Sequence, residues 1–469
     1  MAKVHPPGGL RELLLVSVPL ILSAGSSSIQ QFIDRVFLSH WSPVSVAAGM
    51  PAGALNFSFL CIFMGTAFYC GTFISQYQGA KRNDQIGPAM WQGVWIGLVG
   101  AIAMIPPIIF APGFFAFFNH PPAVIAEEVI YFRILTLGTF PIVASSALSC
   151  FFSGRGDTWT VLWVNLTISI VNAVLDYAMI FGHGPFPAMG IEGAAIATVI
   201  AHSVALVIYL VLVLRPKNQT VFHTRSGWRF NPELMRRLLR FGLPSGLHWF
   251  VDIAGFTVFN LLLGQLGVVA LAATNIAFQI DLLGLIPMTG IGIGVSILVG
   301  KYIGAGQVED AERAGWSGMK MALLYIIPLS TAYVLLPDLF LLPFREAGGK
   351  NNEVLAVASS LLVFAAVVSI FDAVAIATSS AIKGAGDTHF VVWLLAITSP
   401  FCLILPTWLA LSVFHCGLFA VWTIAITYWC SLAIGFFLRF RQGKWKTMKV
   451  IEEELQIPEV QEPIDLLPR

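Results

Sequence analysis

Five aspartates stand inside stretches that are otherwise apolar: Asp34, Asp176, Asp252, Asp281 and Asp372. In such surroundings a carboxylate can hold a small cation such as Na+ through its oxygens, or take up a proton. Either event removes a charge penalty and favours a different packing of the surrounding helices. Asn172 and Asp176 are four residues apart, so they share one helix face. With Asp34 and Thr198 they form a first candidate group in which every side chain offers oxygen. That donor set suits Na+ and equally suits a proton relay; a polar network that only packs helices together is the rival reading. Asp252, Asp281 and Asp372 form a second group, open to three readings: coupling to a cation, attraction of a cationic substrate, or structural polar contact. His248, four residues before Asp252, is either a relay partner or a packing histidine. Pro19 precedes Asp34 by fifteen residues, where it removes a helix hydrogen bond and creates a hinge or a fixed kink.

The elements that must position these groups follow from composition. Of 469 residues, 57% are hydrophobic, only 11% are charged, and mean hydropathy is +0.81. Soluble domains carry about a quarter charged residues, so lipid is the natural solvent. The net charge of +1 gives no reason to expect a nucleic-acid partner. Apolar runs of spanning length (about 20 residues) recur twelve times: 12–40, 46–77, 88–112, 124–152, 159–182, 190–215, 234–265, 270–302, 313–343, 352–383, 388–413 and 417–441. The predicted fold is therefore all-α and polytopic, with 12 transmembrane helices. When alternate loops are assigned to alternate faces, one face collects 22 of the 26 Lys and Arg residues. The positive-inside rule then puts both termini in the cytoplasm of a cell (inner) membrane. The basic stretch 215–233 is the longest loop. Residues after 441, with Glu452 to Glu454, read as a solvated tail with no fold of its own. The start of the chain reads as a cytoplasmic stub, and the six cysteines as reduced buried thiols.

Shifted by 225 residues, the sequence matches itself. Pro19 falls on Pro244, Tyr77 on Tyr302, Gly79 on Gly304, and Trp91 on Trp316. With a five-residue gap, Gly156-Asp157-Thr158 falls on Gly386-Asp387-Thr388. The expected organisation is two pseudo-symmetric six-helix bundles: an N-lobe over 1–214, a loop over 215–233, a C-lobe over 234–441 and a tail over 442–469. Asp157 and Asp387 each precede a helix and read as N-caps. Trp91 and Trp316 read as interfacial anchors. No HExxH, P-loop or other catalytic constellation is present, so neither an enzyme nor an ATP-driven pump is expected, and no cofactor.

These motifs together resemble the MATE (multidrug and toxic compound extrusion) family, bacterial-type, with features of its DinF-like and NorM-like branches. The matching runs are VSVPL…FIDRVFLSHW at 16–41, FISQYQGAKR at 73–82, GRGDT at 154–158, NAVLDYAMIFG at 172–182 and MGIEGAAIATVI at 189–200. FGLPSG at 241–246, LVGKYIGAG at 298–306 and KGAGDT at 383–388 follow in the same order. The resemblance implies a V-shaped, two-lobed antiporter that exports cationic or amphiphilic organic compounds in exchange for Na+ or H+ by alternating access. Its partners would be small-molecule substrates and membrane lipids, with no obligate protein partner. It also implies cation-binding roles for Asp34, Asn172, Asp176 and Thr198, and a helix-one bend at Pro19. In the second half, Asp252 stands where many members have Glu, and Asp372 matches a coupling Asp of the NorM-like branch. Asp281 is less clearly a family position. Val368 replaces a Tyr found in some relatives, which puts a second-half Na+ site in doubt. A lipid-linked precursor flippase of the related superfamily is the alternative, but such proteins favour basic cavities and these helices are acidic.

Overall fold

The computed structural model of the chain describes residues 6–117, 120–345 and 352–452. The first half forms α1 (Leu10–Trp41), α2 (Pro43–Phe68), α3 (Cys70–Gly79), α4 (Ile86–Ala103), α5 (Ile105–Phe117), α6 (Pro122–Leu137), α7 (Thr139–Ser153), α8 (Thr158–Phe181) and α9 (Ile191–Val213). A short α10 (Pro216–Phe222) lies in the connection. The second half forms α11 (Pro232–Leu263), α12 (Val268–Gly304), α13 (Val308–Leu335), α14 (Pro337–Leu341), α15 (Asn352–Ala385), α16 (Thr388–Thr398), α17 (Leu405–Ser412) and α18 (Leu418–Gln442). Among the described residues there is no strand. Among the described residues, eleven helical stretches, with α2–α3 and α16–α17 each counted as one, are long and apolar enough to span a membrane, or up to twelve if the pair α6–α7, bent by 44° at Gly138, counts as one.

Local chemistry sets the ends and breaks. Ser42 accepts from the Val44 N–H, Asp157 from Thr160, and Asn231 from Glu233 and Leu234, so each caps the helix it precedes. Besides the bend at Gly138 in the run 124–152 and the break at Leu336 in the run 313–343, three expected single helices are interrupted. The run 46–77 breaks at Tyr69 into α2 and α3, and the run 88–112 breaks at Met104 ahead of two prolines. The run 388–413 carries a π-turn over Ser399–Ile404, where Pro400 supplies no amide hydrogen to the ladder. Pro19 and its repeat mate Pro244 are buried, and α1 and α11 run on through them.

The two halves meet along α1, α2 and α3 on one side and α11 and α12 on the other. The meeting points obey the 225-residue repeat. A Cβ on Gly65 would sit 2.7 Å from Gly246 Cα; on Gly290, the repeat mate of Gly65, it would sit 2.7 Å from the backbone nitrogen of Ile21, the repeat mate of Gly246. Gly79 and Gly304 likewise press on Lys301 and Gln76, which are themselves repeat mates. Only glycine lets backbones approach this closely. All these contacts lie in the halves of the helices nearest the chain termini. Outer-half glycines do not bridge: Gly25 has nothing near its Cβ position, and Gly53, Gly255 and Gly284 meet residues of their own half. Close backbone contact between the halves is therefore concentrated at the face that carries the termini, the closed face, and the glycines nearer the opposite face supply none.

Two clasps reinforce the closed face. Tyr302 Oη donates to Glu12 Oε2 at 2.5 Å, and Lys301 Nζ and the Gly8 N–H donate to the same carboxylate at 3.1 and 2.9 Å. Its repeat mate, Tyr77, donates to Glu452 Oε2 at 2.8 Å, and Arg82 and Arg237 pair with Glu452 at 3.3 and 3.0 Å. The Glu452 carboxyl is held below its ordinary value of 4.5. Partial burial pushes it up, but backbone hydrogen bonding, the Tyr77 hydroxyl and the charges of Arg237 and Arg82 outweigh that effect. The reading of residues after 441 as a tail without structure is thereby corrected as far as residue 452. Trp445 and Val450 are fully buried, Trp445 stacks on Phe440, and the Val450 N–H donates to Gln76 at 2.9 Å. The signal missed was the pair of apolar residues, Trp445 and Val450, set among Lys444, Lys446 and Lys449. Glu453, Glu454, the rest of the tail and residues 1–5 of the stub lie outside the described residues.

Candidate cation site and central cleft

In the first half, α1, α8 and α9 bring the four expected side chains together. Asn172 and Asp176, one turn apart on α8, are both 0% exposed. Asn172 Nδ2 donates to Thr198 Oγ1 at 3.5 Å, and Thr198 Oγ1 donates to Ala194 O at 3.0 Å, one turn back on α9. Asp34, half-buried on α1, faces Asp176 within side-chain reach. Four oxygens here are buried without a hydrogen-bond donor: Asp34 Oδ1, Asn172 Oδ1 and both carboxylate oxygens of Asp176. Two facing carboxylates repel unless a positive charge lies between or upon them. Buried oxygens left unpaired cost on the order of 1–3 kcal/mol each. Arg35 is exposed and within electrostatic range of Asp34, and among the described residues it makes no ion pair. Tyr131 of α6 is within range of both carboxylates, and the sequence reading missed it. The arrangement is a cradle of oxygen-bearing side chains, a donor set whose chemistry suits a small hard cation or a proton shared between two carboxyls.

In the second half, α11, α12, α15 and α18 gather the other group. Asp281 is 6% exposed and accepts a short hydrogen bond from Ser369, which sits one turn before Asp372. Asp372 lies within electrostatic range of Asp281 and Asp252. Asp252 is exposed, yet Lys383 of α15 and Tyr428 of α18 are within its electrostatic range. Asp252 is thus accessible while lying within range of charged and polar groups on two other helices. Lys383, in the last turn of α15, is half-buried and within range of Asp252 and His248. Ser369, Lys383 and Tyr428 were missed as site residues. Ser369 alone had a sequence signal, its i−3 spacing from Asp372. Val368 is buried in packing. The N-cap reading of Asp387 is also corrected. Its carboxylate makes no cap bond and pairs with Arg439 at 2.6 Å, with both groups largely buried.

The MatE family model matches the chain twice, over residues 19–178 and 244–409, two stretches whose starts are 225 residues apart (244 − 19 = 225). The chain belongs to the MatE family. This makes it a multi-pass membrane transporter and not an enzyme. It is 27% identical over 433 residues, 91% of its length and 89% of theirs, to two probable multidrug resistance proteins NorM of Xylella fastidiosa, strains 9a5c and Temecula1. Its fold is similar to an outward-facing multidrug resistance MATE transporter of the MOP superfamily (TM-score 0.84, 20% identity, 93% of this chain and 96% of that one). Its fold is also similar to a MOP superfamily transporter from Pyrococcus furiosus described as having a binding pocket of reverse polarity (TM-score 0.83, 20% identity, 93% and 96%).

Proposed function

We propose that this transporter exports cationic or amphiphilic organic compounds in exchange for Na+ or H+, by alternating access between two lobes, 1–214 and 234–441, joined by 215–233. The observation that carries the reading is the cradle at Asp34, Asn172, Asp176 and Thr198, whose unpaired buried oxygens call for a cation or proton. Its place on α1 matters, because α1 also forms the closed contact with α12. A charge that loads between Asp34 and Asp176 changes how α1 packs on α8, and so biases that contact. Pro19 is the hinge through which α1 transmits the change. In the second lobe, Asp252, Asp281 and Asp372 give the cleft a negative wall that attracts cationic substrates, and Asp372, by its resemblance to the coupling Asp of the NorM-like branch, takes the coupling role. With the basic terminal face in the cytoplasm, the closed face is inward and the cleft opens outward, the state from which a substrate leaves the cell. An acidic cleft disfavours a flippase for anionic lipid-linked precursors.

The test is transport in proteoliposomes loaded with a fluorescent cationic dye, with Na+ and pH gradients imposed separately. One gradient is expected to drive dye movement in the wild type. Asp34→Asn is expected to remove the response and Asp372→Asn to weaken it. Dye movement indifferent to both gradients rejects antiport, and gradient-driven flux unchanged in Asp34→Asn rejects the site.

A further inference from the structure

A cavity of ≈ 620 Å³ lies apart from both acidic groups. It is a groove on the outer wall of the first half, at the terminal face, walled by Trp91, Trp95 and Leu98 of α4, Phe140 of α7, Trp228, and Arg225 at its mouth. Its construction is specific. Trp91 Nε1 donates to Thr224 O at 2.7 Å and Trp95 Nε1 to Trp228 O at 3.0 Å, so both indoles are fixed as walls. Gln92 bonds the same strap, donating to Arg229 O at 3.3 Å and accepting from the Asn231 N–H at 3.2 Å. Arg225 is held by a bond from its Nε to Leu214 O at 2.9 Å, and among the described residues no carboxylate pairs with it.

Charge and shape commit the groove to one occupant. Between Glu192 and Glu233 the sequence carries no acidic residue, while Arg215, Lys217, Arg225 and Arg229 crowd the loop at the mouth. From Trp91 to Leu98 the helix descends about 10 Å, from headgroup level toward the hydrocarbon. Leu98 and Trp228 present exposed apolar surface along that descent. The duplication does not account for it. Trp316, the repeat mate of Trp91, is packed against Phe437 and Phe440, and Lys320 stands at the repeat position of Trp95.

We propose that this groove binds one anionic phospholipid of the cytoplasmic leaflet, with its phosphate on Arg225 and an acyl chain along Trp95, Phe140 and Leu98. The inference rests on the membrane orientation proposed above and is independent of the cation site. A lipid seated there bridges α4 and the 223–229 strap, and so ties the connection between the halves to leaflet composition.

The test is native mass spectrometry of the full-length protein taken from nanodiscs of phosphatidylglycerol and phosphatidylcholine. The wild type is expected to retain phosphatidylglycerol preferentially. Arg225→Gln is expected to cut that retention roughly fivefold, the worth of one Arg near an anionic surface, whereas Arg441→Gln leaves it unchanged. Leu98→Trp, which fills the groove, is expected to lower retention as well. A measurement without variants is tryptophan quenching, in which brominated phosphatidylglycerol is expected to quench more than brominated phosphatidylcholine at equal mole fraction. Equal retention and equal quenching of the two lipids overturns the proposal, as does wild-type retention in a folded Arg225→Gln protein. Displacement of the lipid by inorganic phosphate also overturns it, because the site then holds a free anion.

Discussion

Replacing Glu452 by Gln removes the charge from a clasp that joins both halves at the closed face. Its carboxylate takes a hydrogen bond from the fully buried Tyr77 and pairs with Arg82 of the first half and Arg237 of the second. The two ion pairs are partly exposed, which limits them to a few tenths of a kcal/mol up to about 1 kcal/mol each. The hydrogen bond from buried Tyr77 to a charged acceptor contributes about 1.5–3 kcal/mol, of which Gln keeps the neutral part. The expected loss is about 2 kcal/mol, close to a thirtyfold shift between conformers. If the inward-open form is about one per cent populated in the wild type, it rises to about a quarter in the variant. Spin labels at Lys81 and Gln307, exposed in the turns that follow α3 and α12 at the closed face, report this as a longer distance population in a background freed of native cysteines. Tyr77→Phe is expected to shift the distribution the same way. Should Glu452→Gln lower the melting temperature while the distance distribution stays as in the wild type, the clasp is only a packing feature and the latch argument fails.

Three further outcomes follow from the same geometry. Because the Glu452 carboxyl sits below its ordinary value, its clasp is at full strength above pH 4.5 and weakens as pH falls further. The spin-label distances are therefore expected to lengthen on acidification below that point in the wild type but not in Glu452→Gln. Gly65→Ala puts a Cβ 2.7 Å from Gly246 Cα, so overpacking of about 1–3 kcal/mol is expected to weaken closure and to show in the same distances. Asp387→Asn leaves Arg439 largely buried without its partner, which is expected to cost about 3 kcal/mol of stability, read as a lower melting temperature with the closed-face distances unchanged.

Much of this architecture was legible in the sequence because lipid imposes simple rules. Spanning length, loop charge and the 225-residue repeat gave the all-α plan, and family resemblance pointed to Asp34, Asn172, Asp176 and Thr198. What stayed hidden depends on tertiary placement. Tyr69, Met104 and Pro400 interrupt helices that hydropathy reads as unbroken, because a break inside an apolar run leaves the run apolar. Lys383 counted as a loop charge because a position one turn from a helix end does not reveal which way a long side chain turns. Asp387 looked like a cap because its sequence matches that of Asp157, which is one; only the approach of Arg439 from α18 separates them. The 443–452 strap was missed because two buried anchors, Trp445 and Val450, carry too little periodicity to register.

The central claim is that the oxygens of Asp34, Asn172, Asp176 and Thr198 hold the coupling cation or proton. The most direct measurement is the melting temperature of the purified protein over a matrix of Na+ concentration and pH, for the wild type and Asp176→Asn. A cation that binds only the folded site stabilises it by mass action. The wild type is expected to gain stability with Na+, or with a proton on acidification, and Asp176→Asn to lose that response. A variant that responds to both variables as the wild type does contradicts the assignment.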